Sequence, residues 1–180
     1  DDFTNKTLLK FGIRSYKNNI NPNYPMMAWD PKGTRIAVLY TRQGKLNLFV
    51  YDVITRIKQY KIDLTKQFDQ VQDMKYMLNS NTLLLTAVKN GHTDIFTLDL
   101  QSEKVRQITN DVYDDLDPSF VAFPSKTGIL YSSNRPSALA ASSDDSLPGK
   151  HFNIYLVDNW NKSEFKQLSK LTDLKRGNAR

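Results

Sequence analysis

The chain has 180 residues, a formal net charge of +6 and no cysteine. A chain of this length with 39% hydrophobic residues can bury a sizeable core, which indicates a globular protein and excludes a disordered one. The absence of cysteine excludes disulfides, thiolate catalysis and Cys-type zinc sites, and it fits either redox compartment. The excess of 25 Lys and Arg over 19 Asp and Glu is accounted for by solubility, so a nucleic-acid partner is not expected.

Targeting and membrane segments are not evident in the sequence. No apolar stretch approaches the roughly 20 residues that a membrane-spanning helix needs. The opening residues, DDFTNKTLLKFG, lack the basic and apolar regions of a signal peptide. We therefore expect any export signal to lie outside this chain.

A repeat with a 47-residue offset dominates the sequence. Four anchors of the first unit recur 47 residues later in the second, and a third unit repeats them with looser spacing. In order, the anchors are Trp29, Ile36, Asn47 and Asp52; Tyr76, Leu83, Asp94 and Asp99; and Phe120, Ile129, Asn153 and Asp158. Internal repeats of 40 to 50 residues are typical of propeller blades.

Each unit predicts four strands. In the first, a strand ending at Trp29 is followed by the turn Asp30-Pro31-Lys32-Gly33, in which Pro and Gly suit the second and fourth turn positions. The second strand, RIAVLY, is nearly all apolar and predicts burial on both faces. The third, LNLFVYD, alternates and closes on Asp52, which can cap the next turn, and the polar fourth, RIKQYKI, predicts an outer edge.

The later units follow the same order. The second unit reads MKY, TLLLTAV, TDIFTLD and KVRQIT, and the third reads PSFVAF, GILYSS, FNIYLVD and EFKQLS. We predict blade units at residues 21–65, 66–112 and 113–172, with an inserted loop at 136–150 between the second and third strands of the last. Residues 1–20 are read as N-terminal strands of a preceding blade or as a strand completing the last one, and 173–180 as the start of a further blade or a tail.

The predicted fold class is all-β, with about three four-stranded antiparallel β-propeller blades. β-branched and aromatic residues punctuated by Gly, Pro and Asn argue against helices. A β-sandwich of about a dozen short strands is the alternative, but a sandwich does not require a constant period. Because propellers close with at least four blades, the three units are expected to be part of a larger propeller, or to be completed by another chain.

Several motifs resemble a known repeat. DPKG at 30–33, QIT at 107–109, DDLDPSF at 114–120, LYSSNRP at 130–136 and NIYLVD at 153–158 are similar to the WD40-like, PD40-type repeats of TolB-like propellers of the bacterial envelope. The resemblance covers about residues 22 to 172, and it departs from the repeat at LNSN in the second unit. It implies a periplasmic or outer-membrane-associated protein with protein partners in the envelope.

Candidate site residues gather at one predicted end of the blades. In a four-stranded meander the loop between blades and the loop joining strands two and three lie at the same end. That end collects the acidic run beginning at Asp111, the inserted loop and the basic residues near the C-terminus, and loops of this kind often carry function. The candidate ligand- or partner-binding residues are Asp114, Asp115, Asp117, Asn134, Arg135 and His151.

Each candidate has a structural alternative. The acidic run lacks the spacing and Gly of a calcium loop, so its favoured role is the capping of turns and strand starts. Arg135 either pairs with a neighbouring Asp or contacts a ligand, and the sequence leaves both open. Alternating strand geometry predicts that Asp115 and Asp117 share a face.

Two further sets of residues are read as structural. His92 and His151 are too far apart in sequence for an expected shared metal site. Trp29, Tyr76 and Phe120, which end the first strands, are predicted to be blade core.

Catalysis has no motif to support it. No Gly-x-Ser-x-Gly elbow, His-Glu-x-x-His or phosphate-binding Gly-rich loop occurs, so no catalytic residue, metal site or cofactor is predicted. The expected function is a non-enzymatic protein-binding or scaffolding propeller without a membrane span. The alternatives are a propeller domain attached to a prolyl-oligopeptidase-type serine peptidase, and a glycan- or cation-binding propeller.

Overall fold

The protein, as a computed structural model, is described for residues 7–8, 23–122, 124, 127–135 and 152–158. This part of the chain consists of strands and connecting turns and forms three antiparallel sheets, each with its strands in sequence order. The all-β prediction and the β-propeller prediction are confirmed. Within these described residues there is no helix long and apolar enough to span a membrane.

The strands are short and regularly spaced. Blade 1 comprises β1 (Met26–Trp29), β2 (Arg35–Arg42), β3 (Lys45–Asp52) and β4 (Ile57–Asp63). Blade 2 comprises β5 (Gln70–Tyr76), β6 (Thr82–Lys89), β7 (His92–Asp99) and β8 (Val105–Gln107). Blade 3 comprises β9 (Asp115–Ala122), β10 (Thr127–Ser133) and β11 (Asn153–Asp158), while the predicted fourth strand lies outside the described residues.

Consecutive blades pack face to face through two apolar cores. The first core joins blades 1 and 2 and contains Leu39, Leu48, Leu85 and Phe96. The second joins blades 2 and 3 and includes Leu84, Ile95, Ile129 and Tyr155. Because successive strand residues point to opposite faces, blade 2 uses Leu85 toward blade 1 and Leu84 toward blade 3.

The middle strands of each blade are the most buried. The prediction that the second strands are buried on both faces is confirmed in β2 and β6. The alternation predicted for the third strands is wrong in β3 and β7, where residues on both faces of the strand are buried. Thr93, Asp94 and Thr97 of β7 are therefore buried although they are polar.

The aromatic residues at one repeat position, which end β1 and β5 and lie within β9, have different surroundings. Tyr76 packs against the first core, where burial raises the pKa of its hydroxyl to about 12, and Phe120 packs against the second core. Trp29, at the same repeat position, is 57% exposed. Its prediction as blade core is therefore wrong, because the face of blade 1 on which it lies has no blade against it in the described structure.

The Tyr24 side chain, just before β1, hydrogen-bonds to the first strand of blade 2. The buried Tyr24 hydroxyl donates to the Val71 carbonyl oxygen at 3.0 Å and accepts from the Val71 N–H at 3.0 Å. The two residues are 47 positions apart, which is one repeat. The contact thus joins equivalent positions of two successive blades.

The turn after β1 is built as its sequence predicts. Asp30 accepts hydrogen bonds from the backbone N–H groups of Thr34 and Arg35 at 2.8 and 2.9 Å, and its own carbonyl oxygen accepts from the Gly33 N–H at 3.0 Å. Burial alone would raise the pKa of Asp30, but the hydrogen bonds from Arg35 and Thr34 outweigh it and lower that pKa. The carboxylate is thus held ionised at the turn.

Blade 2 builds the corresponding turn without glycine. Asn79 accepts from the backbone N–H groups of Asn81 and Thr82 at 3.1 and 3.0 Å, and so caps this turn with an amide oxygen. Ser80, at the repeat position of Gly33, has a φ of 55°, close to the 68° of the glycine. Both turns need the left-handed conformation at this position. The second unit, whose LNSN sequence differs from the turn sequence of the family repeat, therefore keeps the turn with different residues.

Gly33→Ala is expected to destabilise the protein by about 1–2 kcal/mol, because an alanine at positive φ brings Cβ close to the following carbonyl oxygen. The measurement is urea unfolding followed by far-UV circular dichroism. Lys32→Ala, in the same exposed turn, is the matched control and should change the free energy of unfolding by less than about 0.5 kcal/mol. Equal effects of the two substitutions would contradict the positive-φ account of this turn.

The aspartates that close the third strands cap the next turns, as predicted. Asp52 accepts from the backbone N–H groups of Ile54 and Thr55, and Asp99 accepts from the N–H of Ser102 at 2.7 Å. For both carboxyls the backbone hydrogen bond is the leading cause of a lowered pKa. The repeated Asp is therefore explained by turn formation.

Candidate functional site

The loop between blades 2 and 3 meets the end of β10, as the meander topology predicts. Asp114 N–H donates to the Asn134 side-chain oxygen at 2.8 Å, and Asn134 N–H donates to the Asp114 carbonyl oxygen at 3.4 Å. The Asn134 amide nitrogen also donates to the Asp114 carboxylate at 3.3 Å. Asp114 and Asn134, both predicted site residues, are thus brought together as a two-sided clasp.

Arg135 and Asp115, also predicted site residues, form an ion pair in which the Asp115 side chain is fully buried and the Arg135 side chain is 11% exposed. One terminal guanidinium nitrogen of Arg135 lies 2.9 and 2.8 Å from the two carboxylate oxygens of Asp115, and its Nε donates to the Ser133 hydroxyl at 2.9 Å. The same terminal nitrogen lies 3.0 Å from the Asp111 carboxylate. Of the two roles left open for Arg135, the structure shows pairing with aspartate.

Three tyrosine rings surround the Arg135 guanidinium. The distances from its central carbon to the ring centroids are 5.1 Å for Tyr155, 5.5 Å for Tyr131 and 5.8 Å for Tyr113. The Tyr155 hydroxyl also donates to the Arg135 carbonyl oxygen at 3.1 Å. Planar guanidinium groups suit such surroundings, because they stack on aromatic faces while keeping their hydrogen bonds to carboxylates.

Asp94 of β7 in blade 2 is the third carboxylate of this site, after Asp111 and Asp115. It accepts from the Gln107 side-chain amide at 2.9 Å and from the Thr109 hydroxyl at 3.2 Å. Thr109 in turn accepts from the Ile95 N–H at 3.0 Å. We call Asp94, Asp111, Asp115 and Arg135 the interblade cluster, since they join blade 2, the interblade loop and blade 3.

The pKa values of Asp94 and Asp115, the two buried carboxyls of the interblade cluster, are raised. Burial is the main cause that raises the pKa of Asp94, and the charges of Asp115 and Asp111 raise it further. Burial also raises the pKa of Asp115 against the opposing effect of Ser133 and Arg135. The folded protein therefore binds protons at these two carboxyls more tightly than the unfolded chain does.

Asp94→Asn is expected to raise the melting temperature at pH 7, because the amide removes a buried charge and keeps the shape. A carboxyl with a raised folded pKa stabilises below its unfolded pKa and loses that contribution as pH rises through its folded pKa. The difference between the variant and the wild type should therefore shrink when thermal unfolding is repeated below the ordinary Asp pKa of 3.8. Asp99→Asn is the control with the opposite sign, because the pKa of Asp99 is lowered. A destabilised Asp94→Asn protein at pH 7 would contradict this assignment.

Asp117 does not join the cluster. Leu116 pairs with Ser132 and Ser119 with Leu130, so Asp117 and Pro118 together face the single residue Tyr131 in a β-bulge. Asp117 has a φ of 52° and is exposed, whereas Asp115 is fully buried. The prediction that Asp115 and Asp117 share a face is therefore wrong, because the extra residue of the bulge breaks the alternation.

The remaining predicted features differ in how far the structure describes them. The Asp111 carboxylate accepts from the Tyr113 N–H at 3.0 Å, which is the turn-capping role favoured for the acidic run. His151 and the inserted loop 136–150 lie outside the described residues, as do the basic residues beyond 172. Among the residues that are described, no group of three or more His, Cys, Asp or Glu side chains could hold a metal ion.

Sequence reasoning missed Asp94, Thr109 and the tyrosine surroundings of Arg135. Asp94 was recognised only as a repeat anchor, equivalent to Asn47 and Asn153. A polar residue at this position in every unit, directly before an apolar residue of the third strand, was the signal for a buried hydrogen-bonded group. The tyrosines come from three separate segments of the chain, so no local sequence motif could have predicted that they surround Arg135.

Comparison with known proteins identifies the class of fold. No protein-family profile matches the chain. Solved structures that resemble it include TolB from Acinetobacter baumannii, with a TM-score of 0.53 at 21% identity, covering 81% of this chain and 32% of that one. A putative TolB from Agrobacterium tumefaciens gives 0.52 at 16% identity, covering 81% and 50%. The acylaminoacyl peptidase from Pyrococcus horikoshii gives 0.52 at 17% identity, covering 81% and 24%.

A comparison of sequences finds one similar curated protein. The chain is 31% identical over 100 residues to the Tol-Pal system protein TolB of Ruthia magnifica subsp. Calyptogena magnifica, covering 55% of this chain. It spans 22% of the length of that curated relative. The chain is thus a β-propeller that is similar in sequence to TolB over part of its length, whereas its likeness to the solved structures, all at 21% identity or less, concerns the fold alone.

Proposed function

We propose that this protein is a non-enzymatic, protein-binding or scaffolding propeller of the bacterial cell envelope, located in the periplasm or at the outer membrane. The observation that carries the proposal is the 31% identity to TolB, whose name places that relative in the Tol-Pal system. A propeller hosts many functions, so the fold by itself would not distinguish a binding protein from a peptidase domain.

The contact surface that we propose is the interblade loop. Val112 is 65% exposed, between Asp111, which is anchored by Arg135, and Tyr113, which packs beside the same guanidinium. Asp114 is exposed next to it and is held by Asn134. A loop held at both ends presents its apolar and acidic groups with little loss of entropy on binding. Such a surface suits a protein partner with an apolar patch edged by basic residues.

The interblade cluster supports a structural role over a catalytic one. Asp115 is engaged with Arg135 through both oxygens, and Asp94 is engaged with Gln107 and Thr109. A general base or nucleophile needs to reach a substrate, but these groups are buried and paired with each other. We therefore assign the cluster to positioning the loop, with Asp114, Val112 and Asp117 as the residues that contact a partner.

Site-specific photocrosslinking in the native bacterium tests this function. A photoreactive amino acid at Val112 should form crosslinks to one or a few envelope proteins, identified by mass spectrometry after cell fractionation. Leu78 is the matched control, since it is 60% exposed and lies in the β5–β6 turn at the opposite end of the blade. Equal crosslinking from both positions, or recovery only in the cytoplasmic fraction, would contradict the proposal.

A peptidase-associated propeller is the second candidate, favoured by the likeness to the acylaminoacyl peptidase fold and to the tricorn protease, the latter with a TM-score of 0.51. It requires a serine-hydrolase segment in the same polypeptide. A fluorophosphonate probe applied to the natural protein would label such a serine and would leave a TolB-like propeller unlabelled. The glycan- or cation-binding alternative is tested by isothermal titration with oligosaccharides and calcium.

A further inference from the structure

The turn between β3 and β4 exposes two isoleucines. Ile54 is 73% exposed and Ile57, the first residue of β4, is 58% exposed. The Val53 N–H donates to the Thr34 carbonyl oxygen at 2.9 Å, which joins this turn to the β1–β2 turn. We call residues 53–57 the blade 1 tip. Single exposed apolar residues are common on protein surfaces, but two within four residues of one turn form a small apolar group.

The repeat supplies the same turn in blade 2 for comparison. Asp52 and Asp99 each accept hydrogen bonds from backbone N–H groups of the turn that follows them. Arg56 and Glu103, which are one repeat apart, have nearly equal φ angles of 59° and 57°. The two turns therefore share their cap and their left-handed residue, and they differ in the side chains that they expose.

The blade 2 turn has no apolar tip. One repeat after Ile54 and Ile57 stand Gln101 and Lys104, and both are exposed. Blade 2 has a blade packed on each of its faces, so these positions are exposed even where both neighbours are present. The fold thus accepts polar side chains here, and the isoleucines of the blade 1 tip are needed neither for the turn nor for a core.

The charges around the two turns differ in sign. In blade 1, segments 30–35 and 52–58 contain four cations and two carboxylates, a net charge of +2. In blade 2, the equivalent segments 77–82 and 99–105 contain one cation and two carboxylates, a net charge of −1. The exposed isoleucines therefore lie in a basic environment that the second copy of the same turn lacks.

An apolar tip in a basic environment is complementary to an anionic lipid surface. Apolar side chains gain free energy when they enter the interfacial region of a bilayer, and Lys and Arg near anionic headgroups add electrostatic attraction. A stable protein interface instead buries about 800 Å² on each partner around a packed centre. Two side chains on one turn do not provide such an area, so lipid is the occupant that this surface favours.

We infer that the blade 1 tip docks this protein on a bilayer surface with anionic headgroups, where Ile54 and Ile57 enter the interface and Arg56 contacts lipid phosphates. Lys32, on the joined β1–β2 turn, adds a second cation at the same end of the blade. In the meander this end is opposite the loop between blades 2 and 3. The docking is therefore independent of the proposed protein-binding role, which crosslinking from Val112 tests separately.

Sedimentation with sucrose-loaded vesicles tests the inference on the purified protein. The wild type should bind vesicles of equal parts phosphatidylcholine and phosphatidylglycerol, and should bind pure phosphatidylcholine at least about tenfold more weakly. Ile54→Gln and Arg56→Glu introduce the residues that blade 2 has at the equivalent positions, so both variants keep the turn. Each should lower the partition coefficient for the anionic vesicles about tenfold, because one removes an inserted apolar group and the other reverses a charge at the surface.

Lys66→Glu is the matched control, because it reverses an exposed charge in the loop after β4, at the other end of blade 1. It changes the net charge as much as Arg56→Glu does. Its partition coefficient should stay within about twofold of the wild type, since it lies a strand length from the tip, beyond the Debye length of about 10 Å.

Unchanged circular dichroism spectra and urea midpoints establish that the three variants fold. A wild-type protein that does not bind the anionic vesicles overturns the inference. Equal losses in Lys66→Glu and Arg56→Glu overturn it as well, because they would show attraction by net charge alone. Undiminished binding by Ile54→Gln would show that the tip does not enter the bilayer, and would equally overturn it.

Discussion

Arg135→Met should destabilise the protein by about 3–5 kcal/mol, because it leaves the carboxylate of Asp115 buried without its cation. Asp115 has no exposed surface, and both of its oxygens are bonded to Arg135. Methionine fills most of the volume of the arginine stem among the tyrosine rings. The loss of stability therefore measures the removal of the positive charge and not the loss of packing. The measurement is the free energy of unfolding in urea.

Two further variants make the interpretation specific. Lys45→Met removes the cation of the exposed pair with Asp63, whose N–O distance is 3.9 Å, and should cost about 0–1 kcal/mol. The double variant Arg135→Met/Asp115→Leu removes both buried charges and should recover most of the loss, since apolar replacement of a whole buried pair is often neutral. A double variant as unstable as Arg135→Met alone would show that the pair is not the cause.

Phe96→Ala should destabilise the protein by about 3–5 kcal/mol, the range found when a buried phenylalanine is truncated. Phe96 is fully buried on β7 and meets Phe68 edge-to-face, with 4.9 Å between ring centroids. It belongs to the core that joins blades 1 and 2, so the truncation weakens both blades together. Unfolding should therefore remain a single transition with a lower midpoint.

Trp29→Ala is the aromatic control for Phe96→Ala. Its side chain is more than half exposed, so its truncation should change the free energy of unfolding by less than about 1 kcal/mol. Separate unfolding of blade 1, with blade 2 still folded in Phe96→Ala, would contradict a shared core.

The repeat explains why most of the fold could be predicted. Strand order, the buried second strands and the caps at Asp52 and Asp99 follow from local patterns that recur at a fixed offset. What the repeat could not predict is whether a neighbouring sheet covers a given face. Trp29 and Tyr76 share one position and differ in burial, because only Tyr76 has a blade packed against it.

The sequence predicted where the site lies, but it did not predict all of the residues that form it. Meander topology brought Asp114 beside Asn134 and Asp115 beside Arg135. The exposure of Asp117 depends on a bulge, which inserts one residue without a distinct sequence mark, and Asp94 is brought in from the neighbouring blade. Contacts between segments far apart in sequence depend on how the blades pack. In a single sequence, only the repeat indicates which of these segments become neighbours.

A nuclear Overhauser contact between the Tyr24 ring and the Val71 amide tests the central claim that the repeats form consecutive blades packed face to face. The Tyr24 hydroxyl lies 3.0 Å from both the nitrogen and the oxygen of Val71, across one full repeat. We expect this cross-peak together with slow hydrogen exchange of the Val71 amide. A folded protein with a fast-exchanging Val71 amide and no cross-peak would contradict the propeller arrangement and favour another packing of the same strands.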